Sequence, residues 1–174
     1  MAFFLLQALR MKGFHPSWCR WIKDFISRGS VGIKVNDDIG HNFQTQKGLR
    51  QGDPLSPILF NVVADMLAIL INRAKVDGQI GGLIPHLVDG GVSILQYADD
   101  TIIFMEHDVT KALNMKLILC LFEQLSGLKI NFHKSELYCF GQAKAEEELY
   151  RQLFGCESGS FPFKYLGIPI HFKS

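Results

Sequence analysis

The chain has 174 residues, 48% of them hydrophobic and 20% charged. That composition describes one globular domain with a sizeable core and excludes a disordered or low-complexity chain. Eighteen Lys and Arg against 17 Asp and Glu leave a net charge of +1, so no global field draws nucleic acid and any such site must be a local patch. Lys47, Arg50, Lys129, Lys134 and Lys164 are the candidate cations. The four cysteines (Cys19, Cys120, Cys139, Cys156) form no C-x-x-C pair, and no His stands at zinc-finger spacing, which excludes a Cys/His zinc module and suits a reducing compartment.

The predicted elements follow in chain order. Phe3 to Lys12 has helical spacing and stops at Gly13. His15-Pro16-Ser17 opens a second helix to about Ser27. Val31 to Val35 alternates as a strand, Asn36-Asp37-Asp38 turns, and Ile39 to Gln46 returns. After a loop from Lys47 to Pro57, Ser56 is the expected N-cap of a buried helix reaching about Lys75, with Pro57 at its first position. Within it the run Val62 to Ile71 is broken by Asp65 and too short to span a bilayer. Met1 to Leu6 lacks a basic leader, so neither a membrane span nor a signal peptide is expected. Val76 to Gly91 reads as an exposed connection.

The apolar runs Gly91 to Gln96 and Thr101 to Met105 read as the two strands of a hairpin, with Ala98-Asp99-Asp100 at its tip. Asp108 then caps a helix to Ser126, ended by Gly127, with Cys120 as a core residue. Leu128 to Phe132 is an expected strand, Lys134 to Phe140 another, Ala143 to Phe154 a helix, and Phe163 to Ile170 a closing strand or hairpin. Helices mixed with antiparallel hairpins make an α+β pattern.

Four segments carry chemistry. Adjacent Asp99 and Asp100, on a turn after Tyr97-Ala98, offer hard oxygen ligands suited to Mg²⁺ and a substrate phosphate, which points to phosphoryl or nucleotidyl transfer. Gly48-Leu49-Arg50-Gln51-Gly52-Asp53-Pro54-Leu55-Ser56-Pro57 feeds a helix N-terminus, where backbone N–H groups and the helix dipole suit an anion such as a triphosphate. Arg50 offers a fork of donors and Gly52 permits close backbone approach. Lys129 and Lys134, around Gly127-Leu128-Lys129-Ile130-Asn131, could neutralise phosphate or protonate a leaving pyrophosphate. Tyr165-Leu166-Gly167 places an aromatic ring and a Gly at a turn.

Those four segments in that order resemble the reverse transcriptase domain, most closely that of the non-LTR (LINE-type) retrotransposons, including plant copies. The resemblance covers nearly the whole chain. It implies an α+β palm with partial fingers, an antiparallel sheet packed on helices and a catalytic Asp-Asp hairpin, with residues 142–174 at the palm-to-thumb junction. It makes Asp99 a catalytic metal ligand and Asp100 its neighbour, with two Mg²⁺ ions in the intact family site. It puts Arg50, Gln51, Gly52, Ser56, Pro57, Tyr97, Lys129 and Lys134 at the nucleotide, without choosing between the two lysines as the family's motif residue. Tyr165, Leu166 and Gly167 fall on the primer grip. The implied partners are an RNA template, a DNA primer and dNTPs, with no membrane, in nucleus or cytoplasm.

One departure stands out. The family carries another Asp, in a segment of the type Asp-x-x-x-Ala-Phe-Asp, before the helix that starts here near Phe3, and no Asp precedes Asp24 in this sequence. With that ligand absent and no thumb after Gly167, the expectation is a domain with little activity alone. The alternatives are a catalytically dead remnant with weak or no nucleic-acid binding, and an unrelated metal nuclease using Glu106, His107 and Asp108.

Overall fold

The computed structural model describes residues 2–27, 29–44 and 52–171. Two helices come first, α1 (Ala2–Met11) and α2 (Pro16–Ser27). Phe4, Leu5, Ala8 and Leu9 recur at the 3–4 residue spacing of one helical face and are all buried. Cys19 and Ile22 are the buried residues of α2. The core is completed by α3 (Ser56–Val76), α4 (Val109–Ser126) and α5 (Glu147–Phe154). Leu9, Leu59, Val63, Ile71 and Met115 lie at its centre with under 2% exposure, and Phe4 meets Phe122 edge to face at 6.4 Å.

The strands are short pairs. The Val31–Val35 region divides into β1 (Ser30–Val31), paired with β4 (Phe43–Gln44), and β2 (Lys34–Val35), paired with β3 (Asp38–Ile39). Asn36 (φ 48°) and Asp37 (φ 70°) make the β2–β3 turn, as Asn and Asp can. The predicted return strand from Ile39 to Gln46 is likewise two pieces, and residues 45 and 46 lie outside the described residues. The hairpin β5 (Ile94–Tyr97) and β6 (Asp100–Ile103) follows α3. Further on, β7 (Glu136–Leu137) pairs in parallel with β8 (Glu157–Ser158), and β9 (Phe163–Tyr165) turns through Leu166 and Gly167 into β10 (Ile168–Ile170). The α+β class holds, but the expected antiparallel sheet is a set of separate two-stranded pairs among the described residues, one of them parallel.

Other differences have local causes. Leu128 to Phe132 is not a strand: Ser126 Oγ accepts the Leu128 N–H at 3.1 Å and the Glu123 carboxylate accepts the Ile130 N–H at 2.6 Å, so side chains take the donors a strand ladder would use. A 3₁₀ turn follows at Phe132–Lys134. The helix expected from Ala143 starts instead as a 3₁₀ segment, Gly141–Glu146, before α5. Ser56 is not the N-cap. Leu55 caps α3 without a side-chain bond, and Ser56 is the first helical residue. Cys120 is only half-buried, and the core cysteine is Cys19. The 76–91 connection is largely exposed, yet it buries Ile80 and joins Leu83 to Val92 across a β-bridge. There Gly82 and Gly91 approach so closely that a Cβ on either would meet the other's backbone at 2.7–2.8 Å.

The run Val62 to Ile71, read as too short to span a bilayer, is part of the longer helix α3. At 21 residues it is long and apolar enough to cross a membrane, by length and composition alone. Asp65, read as an interruption, is exposed and forms an ion pair with Lys12. Leu59, Val62, Val63, Met66, Leu67, Ile71 and Ala74 of this helix are buried in the core against α1 and α4.

At the C-terminal end Tyr138 sits over Gly159 and 4.4 Å from the Phe163 ring, and its hydroxyl donates to the Glu136 carboxylate. Partial burial, reinforced by that bond, pushes its phenol up to about 12. The folded value lies above the ~10 of a free tyrosine. The neutral phenol therefore stabilises the fold fully below pH ~10, and the contribution is lost as pH climbs through about 12. Thermal melts of wild type and Tyr138→Phe should accordingly converge between pH 10 and 12, wild type losing more; parallel pH profiles would refute the linkage.

Candidate active site

The hairpin β5–β6 is tied to the core at its base. In register, Ile94 faces Ile103, Leu95 faces Ile102, Gln96 faces Thr101 and Tyr97 faces Asp100. Opposite residues share a face and successive ones alternate. Ile94 and Ile103 pack on the core, as does Met105 beyond them. Tyr97 and Asp100 therefore lie on the other face, at the free end. Ala98 and Asp99 form the turn between them, and both acids are exposed. The expected acidic hairpin tip is thus present. Ala98 has φ 51°, a left-handed conformation that costs an alanine about 1–2 kcal/mol. Tyr97 is 64% exposed beside it.

Of the glycine- and proline-bearing loop, Arg50 and Gln51 lie outside the described residues. Gly52 has φ 85°, which favours glycine, and is exposed. Asp53 then organises the entry to α3. Its carboxylate accepts the Leu55 N–H at 3.2 Å and the Ser56 hydroxyl at 3.0 Å, and its carbonyl accepts the Ser56 N–H at 3.1 Å. Asp53 was not singled out in the sequence, although Asp three residues before a Ser at a helix start is a known turn-forming pattern. Ser56 is buried by this arrangement and Pro57 is exposed. Leu55, Leu59, Ile94 and Ile103 belong to one apolar cluster, and α3 packs against β5, so helix entry and hairpin base share a foundation.

Lys129 and Lys134 are both exposed, the first ahead of the 3₁₀ turn and the second as its last residue. That turn is held by Lys116, whose ammonium lies 3.8 Å over the Phe132 ring and donates to the Phe154 carbonyl at 3.0 Å. Tyr165 is half-buried, and Leu166 (φ 50°) and Gly167 (φ 81°) form the β9–β10 turn, as the hairpin reading requires. Lys164 is exposed.

The three residues of the nuclease alternative have other work. Glu106 forms an ion pair with Lys111, a bond that holds the lysine above its ordinary range. His107 Nδ1 is 2.9 Å from the Tyr150 hydroxyl, and Asp108 caps α4 by accepting the Lys111 N–H at 3.0 Å. Among the described residues no group of three or more His, Cys, Asp or Glu is placed to hold a metal ion. Asp99 and Asp100 thus offer hard oxygen donors, but as a pair.

Comparison with known proteins decides the family. The family model described as reverse transcriptase (RNA-dependent DNA polymerase) matches residues 4–170. The chain belongs to the reverse transcriptase family. It is 30% identical over 137 residues to a Pol polyprotein of the type-1 retrotransposable element R2 from Popillia japonica, covering 75% of this chain and 18% of that protein. It is 29% identical over 177 residues to the Pol polyprotein of the type-2 element R2DM from Drosophila melanogaster, covering 94% of this chain and 16% of that one. A 55-residue stretch, 32% of the chain, is 42% identical to an uncharacterised mitochondrial protein of Arabidopsis thaliana, over 45% of its length. The reverse transcriptase domain seen here is of the non-LTR retrotransposon kind, and it spans less than a fifth of the length of these Pol relatives.

The left-handed Ala98 yields a direct test. Ala98→Gly should raise stability by about 0.5–1 kcal/mol, because relief of the backbone cost exceeds the ~0.5–1 kcal/mol of extra unfolded-chain freedom that glycine brings. Chemical denaturation measures this; a lower midpoint would show that the turn does not strain Ala98.

Proposed function

We propose that this domain supplies the palm half of an RNA-directed DNA polymerase site, in which the 3′-hydroxyl of a DNA primer attacks the α-phosphate of a dNTP. The P–O bond to the β-phosphate breaks, pyrophosphate leaves, and the RNA template selects the base. The observation that carries this reading is the pair of exposed carboxylates at the tip of a core-anchored hairpin, in a chain whose residues 4–170 match the reverse transcriptase model.

Each residue has a role in this reading. Asp99 is the principal metal ligand and Asp100 its neighbour. Two Mg²⁺ ions, when bound, would offset charge at the attacking and leaving oxygens. Arg50, Gln51 and Gly52 line the nucleotide and template pocket, with Ser56 and Pro57 opening the helix beneath it. Tyr97 stands at the primer terminus. Lys129 or Lys134 meets the triphosphate, and Tyr165, Leu166 and Gly167 grip the primer. The reading requires the hairpin tip to face the mouth of the glycine- and proline-bearing loop; what supports it is the common apolar footing of α3 and β5.

A second reading is favoured by one observation: the two carboxylates come from one turn, with no third donor grouped among the described residues. Two-ion catalysis needs ligands from more than one strand, so this chain by itself corresponds to half a site, or to a catalytically dead remnant of one. Mn²⁺ titration followed by electron paramagnetic resonance separates the two. A working half-site binds Mn²⁺, and Asp99→Asn weakens binding at least about tenfold, the loss produced even by outer-shell changes. Equally poor binding by wild type and Asp99→Asn would establish the remnant and remove the catalytic assignment.

A further inference from the structure

The segment after α4 alternates in burial like a strand without being one. Leu128, Ile130 and Phe132 are half-buried against the core, while Lys129, Asn131 and His133 between them are exposed. That is the two-residue period of a strand, yet no strand pairs with it among the described residues. Side chains of α4 stand in for the ladder. The Glu123 carboxylate accepts the Ile130 N–H at 2.6 Å, and the hydroxyl of the fully buried Ser126 accepts the Leu128 N–H at 3.1 Å. The Lys116 ammonium lies 3.8 Å over the Phe132 ring and donates to the Phe154 carbonyl at 3.0 Å, which ties the same point to α5. Lys129 therefore sits between two anchored residues, and Lys134 closes the 3₁₀ turn that Phe132 opens. Neither lysine forms an ion pair among the described residues, so both ammonium groups are open to an incoming anion.

We propose that Lys116 and Glu123 are positioning residues for triphosphate binding, acting through Lys129 and Lys134 by fixing to α4 the backbone that carries them. This rests on the reading in which Lys129 or Lys134 meets the triphosphate. A lysine that captures a phosphate has to order a flexible four-carbon stem. A backbone already fixed beneath that stem removes the chain's share of the ordering cost. Here the fixing falls to side chains, because the segment has no strand ladder to hold it. Lys116 is committed to the turn by a ring and a carbonyl, so its charge serves the segment and not the ligand. The two anchors also lie off the face that builds the core: α4 buries Ala112, Met115, Leu119 and Phe122 there. Removing an anchor thus frees the lysine segment while the helix stays packed.

Two measurements on the 174-residue chain test this. The first is amide hydrogen exchange by NMR. Glu123→Ala should speed exchange at Ile130 by about tenfold or more, the effect of losing a hydrogen bond to a charged group, and Glu123→Gln, whose carbonyl still accepts, should restore most of the protection. The second is a phosphorus NMR titration of dTTP with Mg²⁺ at low ionic strength. Lys116→Met and Glu123→Ala should keep the wild-type circular dichroism yet each weaken binding about threefold or more. Lys116→Arg and Glu123→Gln should bind as wild type does. In a chain carrying both Lys129→Ala and Lys134→Ala, adding Lys116→Met should cause no further loss, whereas a merely structural role would weaken both backgrounds alike. Unchanged exchange at Ile130 in Glu123→Ala, wild-type affinity in Lys116→Met and Glu123→Ala, or an equal loss with and without the two lysines would each overturn the positioning proposal alone. A wild-type chain that binds no dTTP, or a double lysine variant that binds it as tightly as wild type, would overturn the underlying reading and this one with it.

Discussion

The fold depends on the burial of α3 between α1 and α4. Leu59, Val63 and Ile71 from α3, Leu9 from α1 and Met115 from α4 are almost wholly removed from water, and each buried aliphatic side chain is worth about 1.5–3 kcal/mol. The β-pairs, by contrast, are two to four residues long, and an isolated two-stranded hairpin is marginal in water. The helical core is therefore the rigid body, and the hairpin carrying the two acids is ordered because Ile94 and Ile103 reach into it.

That arrangement leaves the acidic tip outside the core by construction. Strand alternation sends Ile94 and Ile103 inward and Tyr97 and Asp100 to the opposite face. An exposed carboxylate pair in that setting has open coordination positions, which suits a hard cation and a phosphate arriving together. The same exposure gives the pair no third protein donor in the described residues, so a complete two-ion site needs ligands that this hairpin alone does not supply.

Exposed apolar side chains recur around the same core. Phe3 and Trp21 lie on the first two helices, Ile33, Val35 and Ile39 in the β1–β4 region, and the leucine ridge on α4. Large uncovered apolar patches mark surfaces that meet something. The α4 ridge differs from the others in its regular four-residue spacing from Leu113 to Leu125, and beside it lies a groove lined by Leu70, Ala74, Ile118, Leu121 and Leu125 together with Arg73, Asp77 and Gln79.

Much of this was legible in the sequence. The spans of α1 to α4 follow from 3.6-residue periodicity together with Asp108, Gly127 and Pro16, because caps and breakers act locally. The acidic hairpin and the Leu166-Gly167 turn follow from their turn residues for the same reason, and the order of four motifs sufficed for the family. Tertiary structure decided the rest. Whether Leu128–Phe132 forms a strand depended on the Glu123 and Ser126 side chains taking its N–H groups. Which cysteine is buried depended on how α2 packs, and which of the apolar positions of α4 stay outside depended on where α3 and α5 sit. A sequence period specifies that a helix has an apolar face, but where apolar residues extend beyond one stripe, as along α4, only the packed neighbours choose which of them meet water.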